Sequence, residues 1–429
     1  MFFCTLDKTT TTTTTTTIAE KQVVAPVLAN NMPVPVDFFN KVSSIPPQLW
    51  NGFINKHLQH HAASVYLSLA YLQAYENAHP NVQTHYAICH KDNKPLAIAC
   101  FKVHEITQIL HYSNDELQKA KNAPIRNRLI SFVNKLSFRI LVGGNLYITG
   151  DNGFYAASCL QPSEIASIQT KMVNWIQAEQ KRTRKPINLI LLKDALQKQP
   201  QEAAIFKASG LNYVKTHPNM VLQFRQNWKS FDDYLAAMSS KYRVRAKRYL
   251  KDGQELHIAE LSLTDLETFK TPLYQLYRNV ADKAELNLAV ATPNYLSETK
   301  KALEQQLRVI GYWKNNKELV GFISFFIHNG LLEAHMIGYD ISHNKEEHLY
   351  PFILTDLIRE AFKYGATFLS FGRTASEIKS AAGAVPQSIG AYVKHTNLLL
   401  NKIVPLLVRC IRQNEWVQRH PFKKEVGND

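Results

Sequence analysis

The stretch Val320-Gly321-Phe322-Ile323-Ser324-Phe325-Phe326-Ile327-His328-Asn329-Gly330-Leu331-Leu332-Glu333-Ala334-His335-Met336-Ile337 holds two apolar runs joined by Asn-Gly. That dipeptide suits a type I′ turn, whose two central residues need positive φ, so the stretch reads as a hairpin. Downstream, Phe352, Ile353, Leu357, Ile358, Ala361 and Phe362 recur at helical spacing and stop at Gly365. Thr367–Phe371 then reads as a short buried strand. Residues 308–395 therefore give a three-strand meander, a helix, a strand, a helix and a strand. Residues 84–225 give the same order with a basic insertion at 105–140. The expected fold class is α+β (mixed α/β), with two tandem domains, each a mixed sheet flanked by helices.

In the first copy, Tyr86–His90 and Leu96–Val103 form the opening hairpin and Leu141–Thr149 the next strand. Glu164–Glu179 is helical, announced by Pro162-Ser163. Pro186–Leu192 is a strand, Gln201–Ser209 a helix, and Tyr213–Phe224 the last strand of the copy. The insertion sets Lys119, Lys121, Arg126, Arg128, Lys135 and Arg139 beside an apolar stripe. Such a stripe packs onto its own domain or lies on an anionic membrane surface.

Ser230–Lys251 lies between the copies. Ser230 and Asp233 resemble a capping box, and Leu235, Met238, Tyr242, Ala246 and Tyr249 make one apolar face. The other face carries Lys241, Arg243, Arg245, Lys247, Arg248 and Lys251, six cations in eleven residues with no acid among them. Charges of one sign repel, and an anionic ligand relieves that. The expected divisions are a Thr-rich disordered tail at 1–32 and a first domain at 33–229. A basic connecting helix at 230–252, a second domain at 253–396 and a C-terminal helix and tail at 397–429 complete the chain. The tail segment Leu398–Arg412, apolar and basic with Pro405 inside, reads as a docked helix, with a membrane contact as the alternative.

At 429 residues the chain can bury more than one core, and 45% apolar content is ordinary for a globular protein. No run approaches the ~18 consecutive apolar residues of a membrane span. Cys4, Cys89, Cys100, Cys159 and Cys410 are scattered and odd in number, which argues against a disulfide framework or zinc site and fits a reducing cytoplasm. His57, His60 and His61 lack companion ligands, so no metal is expected. The net charge of +15 points to an anionic partner: nucleic acid, a phosphorylated substrate or an acidic membrane face. No Ser-His-Asp or Walker-type constellation is present.

Three stretches resemble the Fem-type branch of the GNAT acyltransferase superfamily. They are Ser230–Leu235 through Ser240–Arg245, Gly321–Ile327 with Met336–Asp340 and Tyr350–Leu354, and Gly365–Arg373 running on to Ile378-Lys379 and Gly383. The resemblance implies two GNAT-like domains that join an activated acyl or aminoacyl group to an amine. It places the acyl slot where the fourth and fifth core strands splay, between Ala334–Tyr339 and Thr367–Phe371. Tyr339 is then the candidate proton donor or ligand-fixing phenol, and Lys379, after the last core strand, stands near the acceptor with Arg373 upstream. Glu377 and Glu333 are candidate bases. Lys241, Arg243, Arg245 and Arg248 are the candidate contacts to a polyanion.

Coenzyme A is normally cradled by a Gly-rich loop opening a helix. The corresponding Ile341-Ser342-His343-Asn344-Lys345-Glu346-Glu347-His348 has no glycine and two repelling glutamates, and Ala157–Pro162 of the first copy is no better. Fem-type enzymes also lack that loop and use aminoacyl-tRNA. The resemblance and the charge together imply aminoacyl-tRNA as donor ahead of acyl-CoA, with no tightly bound cofactor. The alternative from a different class is a catalytically inactive GNAT-like protein that binds RNA or an anionic membrane.

Overall fold

The computed structural model describes residues 34–423 except 60, 62, 107–136, 151–152, 196–199, 284–287 and 411–415. The Thr-rich tail and most of the basic insertion lie outside the described residues. In the first half β1 (Val36–Phe39), β2 (Gln83–Lys91), β3 (Lys94–Ile106) and β4 (Phe138–Gly143) lie side by side, antiparallel. The short β5 (Phe154–Ala156) also pairs with β3, and β6 (Leu189–Ala195) runs parallel to β4. Next come β7 (Asn212–Lys215) and β8 (Asn219–Gln223). The second half has β9 (His257–Glu260), β10 (Leu307–Lys314), β11 (Glu318–His328) and β12 (Leu331–Tyr339), again an antiparallel meander. β13 (Phe368–Ser370) runs parallel to β12, and β14 (Val385–Gln387) and β15 (Gly390–His395) follow.

Local chemistry explains the hairpins. Asn329 and Gly330 have φ of 43° and 76°, the two positive values that the β11–β12 turn needs. Asp92 and Asn93 (50° and 58°) turn β2 into β3, and Asn315 and Asn316 (51° and 55°) turn β10 into β11. Asn and Asp tolerate this region better than other side chains. Each parallel step crosses over a helix, Pro162–Arg182 in the first half and Leu349–Lys363 in the second. The second ends at Gly365, φ 65°, as its spacing implied.

The two sheets exchange a strand. The first has the order β1-β2-β3-β4-β6-β15-β7 and the second β14-β8-β13-β12-β11-β10-β9. Position by position they match, except that the strand beside each parallel pair comes from the other half. The expected single strand Tyr213–Phe224 is thus two strands in different sheets, and Gly390–His395 belongs to the first sheet. Sheet membership therefore cuts across the expected divisions at 33–229 and 253–396. The expected strand Leu141–Thr149 ends at Gly143.

Five layers result. Pro162–Arg182 covers the outer face of the first sheet, with Met172, Val173 and Ile176 buried against Phe101, Leu141 and Ile190. Between the sheets lie the helices Pro47–His57, Ala63–Tyr66, Leu69–Ala78, Lys270–Ala281 and Tyr295–Leu303, in one core reaching Tyr86 and Ile98 on one side and Phe322 and Phe326 on the other. Leu349–Lys363 and the basic helix Ser240–Asp252 cover the outer face of the second sheet. The basic segment is two helices, Phe231–Ala237 and Ser240–Asp252, with the Ser230/Asp233 capping box formed. Met238 breaks the run and makes an isolated bridge to Phe422 of the C-terminal strap. Among the described residues no helix is long and apolar enough to cross a membrane.

Candidate active site

β12 and β13 pair only from Leu331–Glu333 to Phe368–Ser370. Beyond that, the chain after β13 stays with β8, through Phe371 N to Met220 O (2.8 Å) and Met220 N to Gly372 O (3.2 Å). β12 stays with β11, so the two edges separate and leave a slot with Glu333 and Ser370 at its apex. The splay falls where the resemblance places it.

Inside the slot β12 carries a bulge. Ile337 faces Ile323 and Ala334 faces Phe325, so Ser324 alone opposes both His335 and Met336. The Ser324 hydroxyl accepts from Met336 N at 3.0 Å and lies 3.1 Å from His335 Nδ1. His335 Nε2 lies 3.1 Å from the Tyr295 hydroxyl, itself 2.7 Å from the Tyr71 hydroxyl. Burial lowers the His335 pKa to about 3, so the ring is neutral.

Glu333 is buried at 6% exposure and accepts a 2.5 Å hydrogen bond from Tyr66, which comes from the central layer. Burial pushes its carboxyl up to about 7, against the pull of Tyr66 and Lys193. A carboxyl that titrates near neutrality can accept a proton from an amine at working pH. Beside it lies an ion cluster from the end of β6. Lys193 Nζ donates to Asp194 (2.5 Å), Ile148 O (2.6 Å) and Gly150 O (3.3 Å). Asp194 also accepts from Gly150 N at 2.9 Å and, across the boundary between halves, from Arg373 Nη1 at 3.0 Å. Burial opposes ionisation of Asp194, but Lys193 and Arg373 outweigh it and hold the carboxyl below its ordinary range.

The first half differs at the matching place. β3 pairs with β4 up to Phe101–Gly143 and with β5 from Ala99–Phe154. Where β12 has one extra residue, the first half sends out the loop between Gly144 and Gly153. A Cβ on Gly153 would stand 2.4 Å from Gly144 N, so the neck of this loop tolerates only glycine. Lys193 ties Ile148 and Gly150 of the loop to β6, bridging the first slot. Asn145 Nδ2 donates to the Tyr71 hydroxyl at 2.5 Å, and Tyr147 donates to Val290 O at 3.3 Å. The loop thus closes its own slot and reaches into the second half.

Of the expected site residues, Arg373 reaches this cluster, while Tyr339 stands apart. The bulge turns the alternation over: Glu333 faces Tyr66 in the central layer, whereas Tyr339 faces outward, its ring 5.5 Å from Tyr350. Without the extra residue, positions 333 and 339 would share a face. Six residues also separate them, about 20 Å along a strand, so Tyr339 stands at the slot's mouth. Burial raises its pKa. Among the described residues no hydrogen bond or ring contact joins it to Arg373 or Lys379.

Lys379 is 3% exposed and donates to the carbonyls of Phe371, Gly372 and Arg373 at 2.8, 3.3 and 2.8 Å. It therefore anchors the chain leaving β13, with its N–H groups taken up by backbone carbonyls. Glu377 is held by Arg419 Nε at 3.0 Å and by Arg419 Nη2, outside the slot.

On the basic helix Lys241, Arg245, Lys247, Arg248 and Lys251 are exposed, whereas Arg243 is half-buried and donates to Met238 O at 3.1 Å. Arg248 lies 3.8 Å from Asp252. The helix ends beside the loop after β12, where His348 Nδ1 lies 2.9 Å from Asp252. That loop forms the helix Ile341–Glu347, whose start is taken by Asp340: its carboxylate accepts from Ser342 N (2.7 Å) and Ser342 Oγ (2.6 Å).

Sequence reasoning passed over Tyr66, Lys193, Asp194 and the loop between Gly144 and Gly153. The available signal was the charged pair Lys193-Asp194 closing the apolar run Leu189–Leu192.

Each half has a meander, a crossover helix and a parallel strand that splays from the fourth. The fold is two GNAT-like halves in tandem. Solved structures of similar form include FemX (10% identity, TM-score 0.48, covering 86% of this chain and 99% of that one). Others are a tandem GNAT protein from the clavulanic acid biosynthesis pathway (10%, 0.49, 85% and 99%) and L-PGS from Bacillus licheniformis (11%, 0.44, 87% and 98%). No family model matches the sequence. No curated protein matches it either.

Proposed function

We propose that this GNAT-like chain transfers an activated acyl or aminoacyl group to an amine, in the slot between β12 and β13. The observation that carries the reading is Glu333, a buried carboxyl titrating at about 7 at the apex of that slot. In the reaction the amine nitrogen attacks the carbonyl carbon of an ester or thioester and loses a proton to Glu333. The tetrahedral intermediate then collapses, breaking the bond to the leaving oxygen or sulfur, which takes up a proton. We assign Arg373, oriented by Asp194, to the negative charge that develops on the carbonyl oxygen.

The donor this arrangement favours is aminoacyl-tRNA. Five exposed cations line the basic helix, whose end adjoins the slot's mouth. A coenzyme A pyrophosphate would meet the Asp340 carboxylate at the helix start where phosphate normally binds. The bridged first slot supports a first half that keeps the shape without the chemistry.

Assays should present a pool of radiolabelled aminoacyl-tRNA or acyl-CoA with a panel of amines and follow label into product. Transfer from charged tRNA is expected, with Glu333→Gln lowering kcat roughly 10²- to 10⁴-fold. The wild-type rate should rise with pH through about 7, and the variant should lose that step. Full activity of Glu333→Gln would rule out the base assignment, and transfer from acyl-CoA alone would overturn the donor.

A further inference from the structure

The helix Leu398–Cys410 packs on the edge of the first sheet by one side only. Asn401 donates to Gly210 O at 2.8 Å and accepts from His395 N at 2.9 Å, and Val404 is buried. The other side is bare: Leu398 is 77% exposed, Leu399 74%, Leu400 42%, Ile403 41% and Leu406 60%. Leu399, Ile403 and Leu406 follow one another at i, i+4 and i+7, so they form a single stripe pointing away from the protein. The helix docks on the sheet edge by its other side, and that docking leaves this stripe uncovered. Ordered exposure of this much aliphatic surface needs a partner.

Charge selects the partner. From Ile378 to Asn414 the sequence has no Asp or Glu, and the helix itself carries Lys402 and Arg409. Lys402 is exposed next to Ile403, where its stem can lie along the apolar stripe and its ammonium can reach outward. A second copy would set the same acid-free helix against itself, cation against cation. An anionic lipid surface matches both properties, since acyl chains receive the leucines and headgroup phosphates the lysine. A helix of 13 residues spans about 20 Å, short of a bilayer's hydrocarbon core, so it must lie in the plane of the interface.

We propose that Leu398–Cys410 is an in-plane anchor that holds the protein on an anionic bilayer. This is independent of the transfer chemistry. The test is flotation of the full chain with phosphatidylcholine vesicles, with and without phosphatidylglycerol. Binding to the phosphatidylglycerol vesicles is expected, weakened by salt. The triple variant Leu399→Gln/Ile403→Gln/Leu406→Gln should reduce it roughly tenfold or more, and Lys402→Glu should weaken it further. These side chains support nothing inside the protein, so both variants should keep the circular dichroism of the wild type. Glu333→Gln should bind vesicles like the wild type whatever its turnover. Equal binding by wild type and triple variant overturns the proposal, as does a wild type that floats with neither vesicle. A wild-type dimer that the triple variant dissolves, with no vesicle binding, would make the occupant a second copy.

Discussion

Lys379 has three carbonyl oxygens within 3.3 Å of its Nζ and almost no solvent. Burial pushes its pKa down to about 7. Three acceptors, however, use all three N–H groups of an ammonium and none would bond an amine lone pair, so the site is shaped for the charged form. Lys379→Met should therefore cost at least about 2 kcal/mol, because it strands those carbonyls, and urea unfolding reads this directly. A lysine serving only the substrate would leave stability unchanged. Buried histidines set a second expectation. Burial lowers His79 and His85 to about 4, and His104 and His335 to about 3. The folded protein keeps them neutral while the unfolded chain takes up protons below about 6.5, so stability is lost as pH falls from there toward 4. Glu333 has the opposite sign, because its raised folded pKa makes acidification from 7 toward 4.5 stabilising. Each group contributes at most about 1.4 kcal/mol per pH unit, so four histidines outweigh one carboxyl. Urea midpoints should drop steeply below pH 6, and Glu333→Gln should steepen that drop.

The hairpins were legible because their cause is local: Asn329-Gly330 sets its own φ values, whatever it packs against. Gly330→Ala tests this, since φ is 76° and the new Cβ would stand 3.0 Å from Thr367 Oγ1. A loss of roughly 1–2 kcal/mol is expected from unfolding curves. The splay was placed by the family resemblance, which sets it between the fourth and fifth core strands; the element order alone does not imply it. The bulge was hidden. One extra residue among Glu333–Ile337 leaves the apolar pattern intact, yet it sends Tyr339 and Glu333 to opposite faces. That is why Tyr339 looked placed for chemistry and Glu333 looked only plausible. Tyr66, the residue that completes Glu333, is 267 positions away, beyond any pattern within one element. The basic helix was read correctly as a run of one sign, but its break at Met238 turned Arg243 inward. Lys241→Glu/Arg245→Glu/Arg248→Glu should weaken tRNA binding and flatten its dependence on salt, as measured by filter binding across salt concentrations. Arg243→Ala should chiefly affect stability.

At the scale of the whole chain, the reciprocal exchange of β8 and β15 makes the halves interdependent. No pattern in the sequence announces it, because an alternating strand such as Asn219–Gln223 looks the same in either sheet. The exchanged strands are core and not trim. β8 buries Met220 and Leu222 in the second half, and β15 buries Tyr392 against Phe206 of the first, with rings 4.6 Å apart. Each half alone would expose those pockets and leave an unpaired edge beside its parallel pair. Folding must therefore close contacts between residues far apart in sequence, such as Gly390 with Ala195, 195 positions away, before either sheet is complete. The intact chain should unfold in one transition, seen alike by intrinsic fluorescence and far-ultraviolet circular dichroism. Fragments 34–229 and 230–423 should aggregate or stay partly unfolded when made separately, and should recover native secondary structure as a one-to-one complex when refolded together. Two separated transitions in the whole chain, or a cooperative fold in either fragment alone, would show that the exchanged strands are dispensable and that each half carries its own core.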